Sequence, residues 1–257
     1  MNALLKKALP FAIASCLFPT TASADQLDDI LDSGVLRVGT TGDYKPFSHF
    51  HNNEFNGYDI DVAYHFAKTL GVKVEFVQTT WKGLLSDLEQ NKYDIAMGGI
   101  TRKIQRQLNA EQTQGYMTFG KCFLARKGEG NKFDTLKEAN TGNVKVGMNI
   151  GGTNEAFAEQ FLTSAQFTKY ENNLDVPEAV AAGKVDIMVT ETPEALYYQV
   201  KDKRLEAVSC TTPFTKSQFG YLIPKGEQRF LNTVNFIMDE MTLKGIDQRI
   251  MIKNELQ

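Results

Sequence analysis

The sequence predicts an α/β protein of two lobes, each a mostly parallel sheet flanked by helices, joined by two hinge crossings. Two repeated patterns lead to this fold class. A short apolar strand followed by a turn-rich segment occurs at residues 35–39 and again at 144–148, and a Lys-x-Asp motif that leads into an apolar strand follows each, at 92–97 and 184–189. Strand, helix and strand in succession, twice over, are typical of two parallel-sheet units, with a single doubly wound sheet as the alternative.

The positions of the repeats set the expected lobe boundaries. Lobe 1 should comprise residues 25–119 and 219–257, and lobe 2 residues 120–218, with hinges near 116–123 and 213–222. Two lobes on two crossings can close over a ligand. Apolar periodicity predicts helices at 59–70, 84–89 and 154–162, and a helical return to lobe 1 within 227–257.

Residues 1–24 predict a secretory signal peptide. Lys6 and Lys7 precede an apolar run over 8–18 and a small-x-small cleavage signal at 22–24. A lipoprotein cleavage box that ends at Cys16 is the alternative. No later segment has the ~20 apolar residues of a membrane helix, so we expect a periplasmic protein without stable membrane insertion.

Composition excludes several classes of function. A net charge of −3 argues against nucleic acid as a partner. His49, His51 and His65 have no convincing metal partners, no nucleophile motif is present, and we expect neither a metal nor a cofactor. Cys122 and Cys210 remain after removal of the signal peptide; in an oxidising compartment they form a disulfide or stay as separate buried thiols.

Polar segments follow four of the expected strands, at 40–43, 98–101, 149–153 and 190–194. Ligands of open α/β sheets bind outside the carboxyl ends of the strands. These four segments should therefore surround one cleft, which would take a small-molecule carboxylate.

Three candidate ligand groups lie in or near these segments. Residues 151–154 (GGTN) precede a helix, and their N–H groups and a hydroxyl can bind an anion; the alternative is a tight turn with Thr153 or Asn154 as N-cap. Arg106 can hold a carboxylate bidentately or be a solvated arginine. Trp81 can form the floor of an apolar ligand site or fill the core of lobe 1.

Glu191 and Glu194 follow a strand expected at 186–189. Two carboxylates at a cleft are costly to desolvate, so one can anchor a ligand amine and one can act as a general acid with a raised pKa. The alternative is that they cap the helix that starts near Pro193. Lys121, at the first crossing, could supply a cation to the same cleft.

Several motifs resemble the polar amino-acid-binding proteins of ABC importers, the type II periplasmic binding proteins of solute-binding family 3. They are the secretory start, the VLRVG strand at 35–39, GYDID at 57–61 and DIAMGGIT at 94–101. The resemblance covers nearly all of the mature chain. It implies the two-lobed fold and a ligand carboxylate held by Arg106.

A narrower resemblance is to the periplasmic cyclohexadienyl dehydratases, enzymes built on that same fold. It is carried by TTGDYKPFS at 40–48, by Asn149 two residues before GGTNE at 151–155, and by Lys121 fifteen residues after Arg106. The segment TETPEA at 190–195 matches the one that contains the general-acid glutamate of these enzymes. Two departures are Glu191, where they have aspartate, and Pro193, which is expected of binding proteins.

This resemblance implies conversion of prephenate to phenylpyruvate, and of arogenate to phenylalanine, without a cofactor. Glu194 would be the general acid, with Lys121 and Asn149 as further catalytic groups. The residues expected to bind substrate are Arg106, Thr101, Trp81, Gly152, Thr153, Asp43, Tyr44, Gly99 and Glu191. The main alternative is a non-catalytic receptor that passes an amino acid to an ABC permease, and a sensor lobe for a membrane partner is a third. A homo-oligomer is compatible with either of the first two.

Overall fold

The computed structural model describes residues 25–256; the expected signal peptide and the Cys16 alternative lie outside this range. Its helices are α1 (Gln26–Ser33), α2 (Tyr58–Leu70), α3 (Leu84–Glu89), α4 (Ile104–Gln107), α5 (Leu136–Ala139), α6 (Thr153–Phe161), α7 (Asp175–Ala181), α8 (Thr192–Lys201), α9 (Gln228–Leu243) and α10 (Ile246–Lys253). Its strands are β1 (Val35–Thr40), β2 (Asp43–Tyr44), β3 (Ser48–His51), β4 (Glu54–Asn56), β5 (Lys73–Gln78), β6 (Ile95–Ala96), β7 (Glu111–Gln112), β8 (Met117–Phe119), β9 (Lys121–Arg126), β10 (Lys145–Asn149), β11 (Gln166–Tyr170), β12 (Ile187–Glu191), β13 (Leu205–Val208), β14 (Ser217–Phe219) and β15 (Leu222–Ile223).

Two five-stranded sheets organise the chain. The first has the order β5-β1-β6-β15-β7 and the second β11-β10-β12-β9-β13. We call the units built on them lobe 1 and lobe 2. In each sheet four strands run in one direction, because only β15 in lobe 1 and β9 in lobe 2 pair antiparallel with both neighbours. The expected fold class, two lobes with mostly parallel sheets, is confirmed.

The two reversed strands follow directly on the segments that connect the lobes. Strand β8 precedes β9, strand β14 precedes β15, and β8 and β14 pair with each other as a two-stranded antiparallel ribbon. Two antiparallel segments side by side bring the chain into lobe 2 and back out again. This ribbon is the covalent link between the lobes.

The helices have the apolar faces and end signals that the sequence predicts. Helix α2 starts one residue before the expected position, carries Asp59 and Asp61 in its first turn, and ends at Gly71 with φ +75°. The final stretch contains two helices rather than one, because Gly245 adopts a φ of +61° between α9 and α10.

Lobe 2 has a core on each face of its sheet and a disulfide in one of them. Phe123 and Val189 belong to one core, and Leu124 and Met188 to the other. Cys122 of β9 is bonded to Cys210, which follows β13, with a Cα–Cα distance of 5.1 Å. The alternative of two separate thiols is therefore wrong. Among residues 25–256, no helix has the length and apolarity to cross a bilayer.

Candidate active site

A closed cleft lies between the lobes, at the carboxyl ends of their strands. Its cavity measures ≈ 10 Å³, which is room for about one water molecule. The residues that line it are Tyr44, Trp81, Gly99, Thr101, Asn149, Gly152, Thr153, Asn154 and Glu191. All of these except Asn154 were expected from the sequence as site residues. Asp43, Arg106, Lys121 and Glu194 were also expected there, but they lie behind or beside this lining.

Lys121 and Glu191 form a buried ion pair at the base of the cleft. They are opposite each other in the antiparallel pairing of β9 with β12, and 6% and 4% of their side chains are exposed. The Lys121 Nζ also donates to Thr153 Oγ1 at 2.8 Å and to Asn154 Oδ1. Burial lowers the pKa of Lys121, and the carboxylate of Glu191 opposes that change.

These contacts correct two expectations about helix capping. The N-cap of α6 is Gly152 rather than Thr153 or Asn154, whose side chains are used on Lys121. Strand β12 runs on to Glu191, two residues further than expected. The residue occupies the N-cap position of α8, but its side chain makes no capping bond and lines the cleft instead.

Hydrogen bonds join the two lobes across the cleft. The Tyr44 hydroxyl of lobe 1 donates to Glu191 Oε2 of lobe 2 at 2.6 Å. The Thr101 and Thr153 hydroxyls lie 3.4 Å apart. Burial raises the pKa of Tyr44 well above its usual range, so the phenol stays a donor. Hydrogen bonds from neutral hydroxyl groups therefore connect the two lobes in the closed arrangement.

Glu194 lies in the first turn of α8 and is completely buried. Asn173 Nδ2 donates to its Oε1 at 2.6 Å, and the Thr190 hydroxyl bonds its Oε2. Burial raises the pKa of Glu194 well above its usual range, and the nearby carboxylate of Glu191 raises it further. Burial of this kind favours the protonated form of the carboxyl group. It lies one layer behind the cavity lining, so ligand entry must open the cleft to expose it.

Asn173 is a site residue that the sequence analysis missed. It follows β11, is 1% exposed, and its main-chain N–H donates to Asp43 Oδ2 of lobe 1 at 3.1 Å. Its side-chain Oδ1 has no hydrogen-bond partner within the described chain. Its position in the sequence could have indicated it, because β11 lies beside β10 and the two strands end at the same edge of the sheet.

Arg106 is buried below the loop that carries Thr101. It is 5% exposed and donates from Nη1 to the Thr101 carbonyl at 2.6 Å. Burial lowers its pKa to about 10, against an opposing influence of Glu191, so the guanidinium stays charged at neutral pH. The alternative of a solvated arginine is wrong. In this closed state Arg106 supports the loop and adds positive charge behind the cleft.

Asp59 is a further site residue that the sequence analysis missed, and its carboxyl is buried. It accepts from the Gly99 N–H at 2.6 Å, from Tyr116 at 2.9 Å and from Tyr221 at 2.8 Å. Burial raises its pKa to about 6. Gly99 itself has a φ of +67°, and a Cβ there would lie 2.4 Å from the Tyr44 ring, so only glycine fits. Asp59 thus fixes the cleft loop to residues beside both lobe connections.

Trp81 and Asp43 separate the cleft from a second cavity. The indole Nε1 donates to Asp43 Oδ1 at 3.0 Å, and the Trp81 ring packs edge-on against Tyr44. The second cavity has a volume of ≈ 290 Å³, and both residues line it. Trp81 also packs against the lobe 1 core, so the same side chain lines the cleft cavity and fills the core.

The fold and this cleft agree with the comparisons to known proteins. Residues 36–254 match the family model of bacterial extracellular solute-binding proteins, family 3. The chain belongs to this family.

The relatives of this chain include both an enzyme and an amino-acid-binding protein. The chain is 37% identical over 207 residues to the cyclohexadienyl dehydratase of Pseudomonas aeruginosa, which covers 80% of this chain and 77% of that protein. An ancestral amino-acid-binding protein, described as a precursor of cyclohexadienyl dehydratase, superposes with a TM-score of 0.83 at 38% identity, over 88% of this chain and 98% of its own. An ancestral cyclohexadienyl dehydratase is 50% identical, with a TM-score of 0.57 and coverage of 90% and 96%.

Proposed function

We propose that this chain is a periplasmic cyclohexadienyl dehydratase, which converts prephenate to phenylpyruvate with Glu194 as general acid. The observation that carries the proposal is the complete burial of the Glu194 carboxyl, with its pKa raised well above the usual range. The similarity to the Pseudomonas enzyme supports it.

The reaction needs one proton and a correctly held substrate. The bond from the ring to one carboxylate breaks and releases carbon dioxide, and its electron pair makes the ring aromatic. The ring C–O bond breaks at the same time, and the leaving hydroxide takes a proton from Glu194 and departs as water. Solvent returns that proton to Glu194 when the lobes open. General acid catalysis of this kind contributes about 10²- to 10⁴-fold in rate.

The charges around the cleft favour a dicarboxylate substrate. Arg106 and Lys121 are buried cations, and the first N–H groups of α6 lie beside Gly152. We assign the substrate carboxylates to Arg106, Thr101, Thr153 and this helix start. We assign the orientation of the leaving groups to Asn149 and to the positive charge of Lys121, and contact with the ring to Trp81.

Binding and release require that the lobes move. We propose that lobe 1 comprises residues 25–119 and 219–257, that lobe 2 comprises 120–218, and that the β8–β14 ribbon is the hinge. We also propose export to the periplasm by residues 1–24. Closure expels water, so that Glu194 and the substrate meet in a dry site.

The decisive experiment is incubation of the purified chain with prephenate, with phenylpyruvate measured over time. Enzymatic release of phenylpyruvate is the expected result. No turnover above background, together with tight binding of a free amino acid, would instead identify a receptor that serves an ABC permease. That second function has support from the ancestral relative described as amino-acid-binding.

A further inference from the structure

The Lys121 ammonium is paired with Glu191, a carboxylate that lines the cleft cavity. We infer that this internal ammonium makes the site select amine-free 2-oxo acids over the corresponding amino acids. The inference rests on the proposed function for the identity of the substrate pair, prephenate against arogenate. Arogenate carries an ammonium group on the side-chain carbon that bears the keto oxygen in prephenate.

The contacts of the Lys121 Nζ use all its hydrogens. It donates to Glu191 Oε1, to Thr153 Oγ1 at 2.8 Å and to Asn154 Oδ1. The hydroxyl hydrogen of Thr153 is itself directed at Glu191 Oε1, at 3.2 Å. Because Thr153 therefore accepts from Nζ, the nitrogen donates three hydrogens and is an ammonium.

Glu191 is the natural counter-ion for a ligand amine, and it is already neutralised. Within the described part of the chain, it is the one carboxylate among the residues lining the cleft cavity. Its Oε1 accepts from Lys121 and Thr153, and its Oε2 accepts from Tyr44 at 2.6 Å. A second ammonium at Glu191 would lie beside that of Lys121, and like charges repel strongly in a buried site.

The remaining charges near the cleft give the same preference. Arg106 adds a second buried cation, and burial raises the pKa of Glu194, which favours its neutral form. Asp43 accepts from Trp81 at 3.0 Å and from Asn173 at 3.1 Å, and it lines the neighbouring cavity rather than the cleft cavity. The one carboxylate that lines the cleft cavity is thus paired with a cation, and this arrangement favours a ligand carboxylate over a ligand ammonium.

The test compares the affinities of a matched pair, phenylpyruvate and L-phenylalanine, by calorimetry. We expect the wild-type protein to bind the 2-oxo acid at least about tenfold more tightly, and Lys121→Met to lower this ratio at least about tenfold. In Lys121→Met the carboxylate of Glu191 becomes free for the amine. The double variant Lys121→Met/Glu191→Gln removes that counter-ion and should not gain affinity for the amino acid. Lys169→Met, on the exposed side of lobe 2, is the matched control.

Several results would overturn the inference. They are equal or tighter wild-type binding of the amino acid, no binding of the 2-oxo acid at millimolar concentration, or an unchanged ratio in Lys121→Met. Thermal melting shows whether each variant is folded. If Lys121→Met does not fold, the double variant, which removes both charges of the ion pair, still tests the inference. Turnover of prephenate and arogenate is measured in parallel. Absence of turnover with either would refute the proposed dehydratase, while the affinity ratio would still decide this inference.

Discussion

Asn173 donates from its side-chain amide to the buried carboxyl of Glu194 at 2.6 Å, while its main-chain N–H reaches Asp43 of the other lobe at 3.1 Å. The group that orients the proposed acid is therefore itself fixed by closure of the lobes. In an open state Asn173 loses its contact with Asp43, and Glu194 loses part of its positioning.

Replacement of Glu194 by glutamine should remove turnover and preserve binding. Glutamine keeps the size and the contact with Asn173, but it cannot donate the required proton. We expect Glu194→Gln to lower kcat about 10²- to 10⁴-fold with prephenate binding still measurable by calorimetry. The control is Glu159→Gln, at an exposed glutamate that pairs only within lobe 2, which should keep the wild-type rate. Near-normal rates in Glu194→Gln would show that another group is the acid.

Asn173→Leu should change the pH dependence of the rate. The amide of Asn173 lowers the pKa of Glu194 against the larger effect of burial, so its loss should raise that pKa. Since the reaction needs protonated Glu194, the alkaline fall of kcat should move to higher pH, and the plateau should drop because the carboxyl is less well held. Asn172→Leu, at the exposed neighbour, should move neither. If the maximal kcat of Asn173→Leu is lower but its alkaline fall stays at the wild-type pH, Asn173 has a structural role alone.

Asp59 should make the free energy of unfolding depend on pH. Its pKa is raised from 3.8 to about 6 in the folded protein, so the folded state holds the proton more tightly than the unfolded chain. The resulting stabilisation is complete below pH ~4 and is lost as pH rises through ~6, about 3 kcal/mol in total. Urea unfolding of Asp59→Asn should lack this loss. Asp61→Asn, at an exposed ion pair on the same helix, should retain it, and parallel curves for Asp59→Asn and wild type would contradict the prediction.

Reduction of the disulfide should destabilise lobe 2. Cys122 and Cys210 are 88 residues apart, and a loop of this length corresponds to at most about 4–5 kcal/mol by the chain-entropy model. We expect a lower Tm in a reducing agent and in the Cys122→Ala/Cys210→Ala variant. The reducing agent should have no further effect on that variant. Equal Tm values for oxidised and reduced wild type would refute this.

The emission of Trp81 should report ligand binding. It is the one tryptophan of the sequence, and its indole contacts Asp43 and Tyr44 at the cleft. Because the closed cavity of ≈ 10 Å³ must open to admit a ligand, the surroundings of the indole must change. Titration with phenylpyruvate should give a saturable change in fluorescence. Trp81→Phe should lose the signal but still bind, and a flat titration of a protein that binds by calorimetry would refute the expectation.

Repeated strand patterns made the fold predictable, and the order of polar strand ends made the cleft predictable. Local sequence could not show which face of β12 and α8 each glutamate would take. Glu191 faces the cleft because β12 runs two residues further than expected, and its partner Lys121 is 70 residues away. Asn173 was missed because an asparagine after a strand is also typical of an ordinary turn.

The sequence also did not predict which charged residues would be buried. Arg106 lies among basic residues on a short helix, which is typical of a solvated surface, yet it is 5% exposed. Asp59 opens a helix, where a carboxylate is favourable without any further partner. Only the tertiary arrangement brings the hydroxyls of Tyr116 and Tyr221 to it.

The first two residues of β9, Lys121 and Cys122, determine which charged groups a ligand meets in the open cleft. Lys121 is held to β12 within its own sheet, and Cys122 next to it is covalently anchored to the same lobe. When the lobes separate, Lys121 and Glu191 must therefore move together as parts of lobe 2, and their salt bridge stays intact. Contacts between the lobes, such as that of Tyr44 with Glu191, are broken instead, so an incoming ligand meets an ion pair that is already formed.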